Sequence, residues 1–428
     1  MKRLPDQADE ALTGSQSGQP GDNITDEQSM ARGFKSVMIF GAGINQLELI
    51  REAKALGLVT VVIDPQDEPP GKAEADHFFR IDGNDYDSTK AVALENNVSG
   101  IVTGQMEKPL RLMAHLAREL GFVFNSPEVT ERCIDKWLMK EALTANHVPC
   151  ARGVLLKPGE QIRLPDTIGY PVIIKPRDAF SSRGVYKCED QKDVENHLKE
   201  SSAFSSTGDV IIEEFLQGRE YSVEALTWNG ETTIVQFTEK FITPYPRTVE
   251  LGHLQPAGLD IAKRMEVSAI VMKALKALGV MNSASHTEVM VTDKGPYIIE
   301  VGARLGGDFI GSHLTRSSTG MSMDRAAVEI AMGFKPSRTP SFRAFSMIKY
   351  LEMPEGRIVE EVLPYDDILA MPGVVFATLF VKPGDIIRPV SHSALRPGCI
   401  VAEADTRGEV RARTERYAAL LEKKIILK

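Results

Sequence analysis

Metal-binding cysteine and histidine patterns, long apolar runs and basic clusters are all missing from this sequence of 428 residues. The four cysteines include no CxxC pair and no metal-ligand spacing, so we expect reduced core residues. The eight histidines form no HxxH or HxxxH pattern, which argues against a dedicated zinc site. No apolar run reaches the roughly 20 residues of a membrane span, and no leading apolar segment predicts a signal peptide. A reducing cytoplasm is the expected location.

The charge of the chain limits its partners. The formal net charge is −9, and lysine and arginine are spread along the chain rather than clustered. This distribution argues against nucleic acid or an anionic membrane as the main partner. A negatively charged protein that binds a nucleotide needs local cations, which should appear as isolated lysines and arginines.

Residues 1–33 differ in composition from the rest of the chain. They are rich in Gly, Ser, Gln, Asp and Asn and hold almost no large apolar residues, so we predict a flexible tail. From Lys35 onward, β-branched strands alternate with helices, which predicts a doubly wound parallel sheet. The predicted elements are strands at Ser36–Phe40, Val59–Ile63 and Val98–Val102 and helices at Leu47–Leu56 and Leu110–Leu120.

The pattern changes after residue 125. Ser126 and Pro127 are typical of a helix start, and we predict one helix from there to about Asn146. From Tyr170 to Trp228, strands are separated by Gly and Ser turns. Further predicted elements are a helix at Ile261–Leu278, strands at Ala344–Tyr350 and Val374–Val381, and a helix from about Gly408 to Glu422. The predicted fold class is a multidomain protein of α/β and α+β type.

A glycine turn follows the first predicted strand. Gly41 and Gly43, with Asp64 about 20 residues on, suggest a dinucleotide-binding fingerprint. The third glycine of that fingerprint would fall at Gln46, where a side chain prevents close packing of helix and strand. The pattern favours a structural turn over NAD binding.

A short turn at Asp293–Gly295 separates two strand-like segments and predicts a hairpin. If the turn centres on Lys294, Glu288 and Glu300 lie opposite each other. Facing carboxylates repel unless a cation lies between them, and Mg²⁺ prefers one or two carboxylates with phosphate oxygens. Strand alternation places Arg304 on the face of Glu300, where a guanidinium suits a polyphosphate or a carboxylate. We predict a metal and anion site, although either glutamate alone would be typical of a solvated hairpin.

Two other segments carry charged residues at strand ends. Lys175 ends an apolar strand, where an unpaired lysine is costly, and the small polar loop Ser181–Val185 that follows could fold over phosphates. A snorkelling lysine followed by an ordinary hairpin explains that segment equally well. Glu213 and Glu220 lie near a later strand end, where an acid could accept from ribose hydroxyls. A surface hairpin is the alternative there.

Taken in order, these segments resemble the ATP-grasp superfamily. The resemblance is carried by Ile134–Lys136, Val172–Lys175, Ser181–Val185, Ile212–Leu216, Glu220, Glu288 and Glu300–Gly307. Each motif is weak alone, but the series keeps its order and a plausible spacing from about Phe34 to the C-terminus. Beyond the tail at 1–33, it implies a pre-ATP-grasp α/β domain (34–125), an ATP-grasp domain (126–335, with an ATP-binding subdomain at about 147–220) and a C-terminal lobe (336–428).

The resemblance also implies a reaction and a role for each matching residue. ATP would phosphorylate a carboxylate and an amine would attack the acyl phosphate, with Mg²⁺ or Mn²⁺ beside ATP. The implied ATP-binding residues are Lys136, Lys175, Ser181, Ser182, Gly184, Glu213, Glu214, Phe215, Leu216 and Glu220. The implied metal ligands are Glu288 and Glu300, and the implied catalytic residues are Arg304, Lys175 and Glu300, acting by positioning and charge neutralisation. Dimers are common in the superfamily, which makes a homodimer an expectation.

Two positions depart from the family pattern. Many members have Asn two residues after the second metal glutamate, where this chain has Gly302. One metal or phosphate contact is therefore expected to be absent or supplied differently. The predicted phosphate loop also has a single glycine, Gly184, which limits its expected flexibility.

Within the superfamily, Glu300–Asp308 and Val249–Pro256 resemble the L-amino acid ligases, bacilysin-synthetase-like carboxylate–amine ligases of natural-product pathways. The resemblance implies an amide, dipeptide-like product with release of ADP and phosphate. By that analogy the substrate pocket is lined by Glu250, His253, Arg304, Gly306 and Gly307, with Glu250 engaging an ammonium group. A loop histidine that caps a helix is an equally good interpretation of His253.

Three alternatives are open on the sequence alone. One is an ATP-grasp carboxylase that loads bicarbonate onto an amine or a ring nitrogen. Another is a dehydrogenase that uses the glycines of the first domain, which Gln46 disfavours. The last is a nucleotide-sensing module without turnover. Against it stands the complete set of Lys136, Lys175, Glu288, Glu300 and Arg304, because a sensor need not keep the machinery for the terminal phosphate.

Overall fold

The computed structural model describes residues 35–180, 183–244 and 249–428. The predicted tail at 1–33 lies outside the described residues, and so do Ser181 and Ser182 of the predicted phosphate loop. Within the described ranges, no helix is both long enough and apolar enough to cross a membrane.

The first unit is a four-stranded parallel sheet, as the alternation of strands and helices predicts. Its strand order is β3-β2-β1-β4, which are His77–Arg80, Val59–Asp64, Ser36–Phe40 and Val98–Thr103. Its helices are α1 (Leu47–Ala55), α2 (Tyr86–Glu95) and α3 (Leu110–Leu120). Strands β1, β2 and β4 are buried almost throughout because helices cover the sheet, whereas the edge strand β3 is partly exposed.

The glycine turn after β1 is tied to the sheet by an acid. The Ala42 amide donates to Asp64 Oδ2 at 2.8 Å, and Asp64 is buried. Gly41 has a φ of 94°, and a Cβ there would lie 2.3 Å from Met106 Sδ and 3.3 Å from the Gln46 side chain. The acid that would bind a ribose is therefore engaged by the protein backbone, which favours the structural turn.

The single helix predicted from Pro127 to about Asn146 is wrong. The structure has α4 (Pro127–Ile134) and α5 (Lys136–Ala145), separated by Asp135 in an extended conformation. The Asp135 carboxylate accepts from the amides of Trp137 and Leu138, which starts a new helix. The break makes Lys136 the first residue of α5, and its side chain lines the cavity described below.

A small antiparallel sheet follows, with the order β5-β8-β6-β7. These strands are Gly153–Leu156, Val210–Glu214, Val172–Pro176 and Tyr186–Cys188, and α6 (Gln191–Ala203) packs on them. Apolar residues such as Val172, Ile174 and Ile212 are fully buried between this sheet and α6. Polar side chains at the other face are therefore available to the cavity.

The largest sheet has eight antiparallel strands in the order β13-β12-β9-β10-β11-β14-β17-β16. The first five are Gly295–Gly302, Ser283–Thr292, Arg219–Trp228, Glu231–Ile242 and Glu250–Gln255. The last three are Phe345–Tyr350, Gly398–Ala404 and Val374–Leu379. A separate pair, β15 (Val359–Val362) and β18 (Ile425–Leu427), completes the strands of the described chain. The sheet continues across residue 336, so the proposed division into domains stays a prediction.

The remaining helices cover these sheets. They are α7 (Ile261–Leu278), α8 (Thr315–Thr319), α9 (Met323–Ala331), α10 (Asp366–Leu369) and α11 (Arg407–Glu422). The bounds of α7 match the prediction, and α11 begins one residue before the predicted start. Helix α9 packs against α1 and β12, so it joins the first unit to the large sheet through one hydrophobic core.

Candidate active site

A cavity of about 660 Å³ lies between the small sheet, the large sheet and the first unit. This volume falls in the usual range of small-molecule sites, ~300–1,000 Å³. Two groups of its lining residues carry much of its charge and its aromatic surface. The lysine half consists of Lys136, Lys175, Glu213 and Glu300 with Lys140 behind them, and the aromatic half consists of Glu250, His253, Asp308, Phe309, Tyr350, Phe380 and Arg396.

The hairpin of β12 and β13 places two acids opposite each other at the cavity. Glu288 pairs with Glu300 in the register, as predicted. The turn itself has only two residues, and a bulge that shifts the register after Glu288 brings the two glutamates opposite each other. Both line the cavity. The pairing is therefore confirmed, although the bulge, which the sequence did not reveal, is what sets it.

Two lysines neutralise these acids. Lys136 Nζ lies 3.1 Å from Glu300 Oε1, and Lys240 Nζ lies 2.7 Å from Glu288 Oε1. Lys240 also contacts Glu220 and approaches Glu250 to 3.6 Å. Burial alone would raise the pKa of Glu288, but Lys240 and His286 outweigh it and hold that pKa well below its usual range. Burial alone would lower the pKa of Lys240, and the surrounding carboxylates raise it well above its usual value.

The two carboxylates at the hairpin suit a hard divalent cation that takes few of its ligands from the protein. No cluster of three or more His, Cys, Asp or Glu side chains suited to a metal occurs among the described residues. Mg²⁺ commonly uses one or two carboxylates and takes its other ligands from phosphates and water. Glu288 and Glu300 would then hold Mg²⁺ or Mn²⁺ together with a polyphosphate.

Lys175 has an anionic partner within the protein. Its Nζ lies 2.5 Å from Glu213 Oε1, and Lys140 Nζ lies 2.8 Å from Glu213 Oε2. Burial would raise the pKa of Glu213, but the two lysines outweigh it and lower that pKa. A buried lysine needs an anionic partner, and Glu213 supplies it. The burial of Lys175 therefore does not by itself indicate a bound phosphate. Lys175 and Glu213 line the cavity, where Lys175 could turn from Glu213 to another anion.

The loop predicted to cover phosphates is only partly placed at the cavity. Phe180, Arg183 and Val185 line it, whereas the predicted Gly184 is not among the lining residues. A Cβ at Gly184 would lie 2.8 Å from Pro176 and 2.9 Å from Phe204, so this glycine serves close packing. The predicted contact of Gly184 with phosphate stays a prediction.

Residues predicted to hold adenosine line one wall of the cavity. Glu214, Phe215, Leu216 and Glu220 all lie there, beside Ile173. Glu214 also forms an ion pair with Arg152 at 2.5 Å, which fixes its carboxylate. Burial raises the pKa of Glu220, with Lys240 opposing the rise.

Arg304 is held by an acid from the first unit. Its guanidinium contacts Glu107 and donates to the Leu305 carbonyl at 2.9 Å. Burial would raise the pKa of Glu107, but Arg304 and Lys136 lower it. Arg304 and Gly307 line the cavity as predicted, but Gly306 does not. A Cβ at Gly306 would lie 2.7 Å from Glu224 Oε2, so this glycine serves close packing, and its predicted substrate contact stays a prediction.

The aromatic half is built around an ion pair between a buried arginine and a partly buried aspartate. Arg396 donates to Asp308 at 2.6 and 2.9 Å and stacks over the Tyr350 ring, 3.5 Å from its centroid. His253 Nε2 lies 2.9 Å from Asp308 Oδ2, so this histidine fixes an acid rather than capping a helix. Burial would raise the pKa of Asp308, but Arg396 and His253 hold it well below its usual range.

Besides the aromatic residues, five titratable lining residues and one acid beneath them were missed from the sequence. They are Glu107, Lys240, His286, Asp308 and Arg396, with Glu224 under His286. Strand alternation alone could have found His286, since it lies two residues before Glu288 on β12. Burial would lower the pKa of His286, but Glu224 and Glu288 raise it to about 9. No local pattern marks the others.

Comparisons with known protein families agree with this arrangement. Residues 168–312 match the model of an ATP-grasp domain, and residues 349–425 match the model of an L-amino acid ligase C-terminal domain. The second match contains Tyr350, Phe380 and Arg396 of the aromatic half.

Individual relatives are distant. Dapdiamide A synthase of Enterobacter agglomerans is 27% identical over 68% of this chain and 71% of its own length. The 2-oxoglutarate carboxylase small subunit of Hydrogenobacter thermophilus is 26% identical over 70% of this chain and 67% of its own length. The crystal structure of an L-amino acid ligase from Bacillus licheniformis has a TM-score of 0.79 with 21% identity, over 92% of this chain and 98% of the other. That likeness establishes a shared fold.

Proposed function

The chain is an ATP-grasp ligase that forms carbon–nitrogen bonds, and from that premise we propose that it joins a carboxylate to an amine through an acyl phosphate. The product would be an amide of the dipeptide type, with ADP and phosphate released. The observation that carries this proposal is the pair Glu288 and Glu300, facing each other in one cavity with Arg304.

The proposed reaction has two steps. A carboxylate oxygen bonds to the terminal phosphorus of ATP as the bond from that phosphorus to the bridging oxygen breaks, and ADP leaves with the electron pair. The amine nitrogen then bonds to the acyl carbon, and phosphate leaves with one former carboxylate oxygen. Overall, an ammonium and a carboxylate give an amide while one proton passes to solvent. Neither step requires a covalent bond to the protein, so positioning and charge neutralisation supply the catalysis.

The lysine half would hold the nucleotide. Lys136 and Lys175 are cations at the cavity wall, and each is paired with an acid that a phosphate can replace as a partner. Leu216 and Glu220 would face adenosine. Magnesium held by Glu288 and Glu300 would neutralise the phosphate charge that develops during transfer. Arg304 would bind the substrate carboxylate and the acyl phosphate formed from it.

The aromatic half favours an organic substrate over bicarbonate. Phe309, Phe380 and Tyr350 give it an apolar wall, which a bicarbonate ion would not use. Glu250 adds a carboxylate that could receive a substrate ammonium group. Two amino-acid-like substrates would satisfy both features, because each combines a charged end with a side chain.

A screen of carboxylate and amine pairs tests the proposal. Phosphate release from ATP is measured with each partner alone and with both, and products are identified by mass spectrometry. We expect ADP and phosphate only when both partners are present, with an amide of the summed mass less water. AMP and pyrophosphate as products would contradict the acyl-phosphate mechanism.

The carboxylase is the second candidate, because a carboxylase subunit is among the relatives. Bicarbonate-dependent phosphate release that needs no organic acid would establish it in place of the amide ligase. Tight ATP binding without turnover for any pair, bicarbonate included, would favour the nucleotide-binding module. A homodimer is also proposed, and sedimentation equilibrium at twice the mass of 47.1 kDa would confirm it.

A further inference from the structure

A buried lysine behind the wall of the cavity has no role in the scheme above. Lys140 lies one turn after Lys136 on α5, so both side chains leave the same face of that helix. Lys136 lines the cavity, whereas Lys140 does not. The Lys140 side chain is 11% exposed, and its ammonium group donates to the carbonyl of Ala151. A buried cation is costly without an anion beside it, so Lys140 requires a partner.

That partner is Glu213, an acid that two lysines share. The Lys175 ammonium lies 2.5 Å from one carboxylate oxygen of Glu213, and the Lys140 ammonium lies 2.8 Å from the other. The Glu213 side chain is 6% exposed, so little water reaches it. One lysine would already neutralise this carboxylate. The three side chains together therefore carry one positive charge in excess, which a phosphate could neutralise.

The position of each lysine decides which of them can leave the acid. Ile173 lies opposite Glu213 in the register of β6 and β8, and Lys175 follows two residues later on the same face of β6. Lys175 lines the cavity, so its ammonium group can turn to a ligand there. Lys140 lies behind the wall, where Ala151 and Glu213 both hold it.

The second lysine removes a penalty from the movement of the first. A buried carboxylate that loses its only cation is left unpaired, which is strongly unfavourable. When Lys175 turns to a phosphate, Lys140 still neutralises Glu213. Without Lys140, Lys175 would have to stay with the acid or leave it unpaired. Either outcome would weaken the binding of phosphates.

We propose that Lys140 is a positioning residue, which holds the charge of Glu213 and so frees Lys175 to bind the phosphates of the nucleotide. This inference rests on the proposed nucleotide site of the lysine half. Lys140 contacts neither the nucleotide nor the substrates, and no bond to it forms or breaks. Its effect is therefore confined to the phosphates, and the contacts of adenosine with Leu216 do not depend on it.

Comparison of two ligands tests the proposal without knowledge of the substrates. Isothermal titration calorimetry measures the affinity of the full chain for adenosine and for the non-hydrolysable ATP analogue AMP-PNP with magnesium. In Lys140→Met we expect the AMP-PNP affinity to fall about 10- to 100-fold and the adenosine affinity to change less than about threefold. Lys140→Arg retains the cation and should keep most of the AMP-PNP affinity.

A double-mutant cycle separates this role from a structural one. Once Glu213→Gln has removed the acid, Lys175 leaves no charge behind when it turns. Adding Lys140→Met should then change the AMP-PNP affinity by less than about threefold. An equal loss with and without Glu213→Gln would mean that Lys140 supports the fold or the phosphates directly, which overturns the proposal. An unchanged AMP-PNP affinity in Lys140→Met, or equal weakening of AMP-PNP and adenosine, also overturns it.

A matched control is Lys273→Met. Lys273 on α7 also donates to a backbone carbonyl, that of His147 at 2.7 Å, but it forms no ion pair within the described part of the chain. Both affinities should therefore stay unchanged in this variant. If Lys140→Met fails to fold, as judged by thermal unfolding, Lys140→Gln replaces it, because glutamine keeps a donor and lacks the charge.

The same titrations keep the two proposals separable. AMP-PNP that binds the unaltered chain no more tightly than adenosine would count against the nucleotide site of the proposed function and against Lys140 together. A clear preference for AMP-PNP that survives Lys140→Met would count against Lys140 alone.

Discussion

The lysine half and the aromatic half of the cavity differ in how their charges are paired. In the lysine half, each acid faces a flexible lysine, as Glu213 faces Lys175 and Lys140. In the aromatic half, Asp308 is held by a guanidinium stacked on a ring and by a histidine. A lysine can turn from an acid to an arriving phosphate, whereas a stacked, doubly bonded arginine stays in place.

This difference suggests separate tasks. Exchangeable pairs suit a nucleotide that must bind and leave in every turnover. A rigid ion pair suits a wall that selects substrates by shape. Changes in the lysine half should therefore affect all substrates equally through ATP, and changes in the aromatic half should alter substrate preference and leave ATP binding intact.

The largest effect is expected from Glu300→Gln. It removes one carboxylate of the metal pair, and kcat should fall by at least about 10³-fold for every substrate pair. Steady-state phosphate release measures it, with Glu231→Gln, an exposed position of β10 in the same sheet, as the control. Retained activity with an unchanged magnesium requirement would show that the metal assignment is wrong.

Arg396→Met should have the next largest effect. It leaves the partly buried Asp308 with only His253, so we expect a loss of about 1–3 kcal/mol in the free energy of unfolding. The KM of one organic substrate should rise about tenfold or more, with the KM of ATP within about twofold. Urea unfolding and kinetics measure the two effects, and Arg396→Met combined with Asp308→Asn should recover part of the stability. A raised KM for ATP would break the distinction between the halves.

A smaller effect is expected from Glu250→Gln. Loss of the carboxylate should weaken binding of a substrate ammonium group and raise the KM of that substrate about tenfold. Because Lys240 Nζ is 3.6 Å from Glu250 and closer to two other acids, the fold should be unaffected. An unchanged KM for both substrates in Glu250→Gln and in His253→Ala would refute the placement of the substrate pocket.

The smallest effect on activity is expected from a buried acid outside both halves. Burial raises the pKa of Asp324 on α9 from 3.8 to about 7, and Glu48 and Glu52 add to the rise. The folded state therefore binds a proton more tightly than the unfolded state. Ionisation of Asp324 then lowers the free energy of unfolding of the protein as pH rises from about 4 to 7. Asp324→Asn should be more stable by about 1–3 kcal/mol at pH 8, and the gain should vanish near pH 4. Chemical unfolding at the two pH values checks this, and a gain independent of pH would contradict it.

The sequence predicted the lysine half far better than the aromatic half. Lys175, Glu213 and the hairpin acids lie in short segments whose strand pattern and turn can be read locally. Asp308 and Arg396 are 88 residues apart and meet only because the large sheet continues from β11 into β14 and β17. Such a pairing depends on topology and leaves no local pattern.

The wrong prediction of a single helix has a physical reason as well. The helix breaks at Asp135 because its carboxylate caps a new helix. The same carboxylate also accepts a hydrogen bond from Arg177, the residue that follows β6. Gly184 and Gly306 resemble binding glycines in the sequence, yet each is a glycine because a Cβ would collide with a neighbour. A glycine required for packing and one required for binding look alike in a single sequence.

Oxygen transfer tests the central claim most directly. A carboxylic acid substrate found in the screen is labelled with ¹⁸O in both carboxylate oxygens, and the released phosphate is analysed by mass spectrometry. The acyl-phosphate mechanism predicts that each phosphate carries one ¹⁸O, because the bridging oxygen leaves with phosphorus when the amine attacks. Phosphate without label, or label found in AMP, would contradict the account.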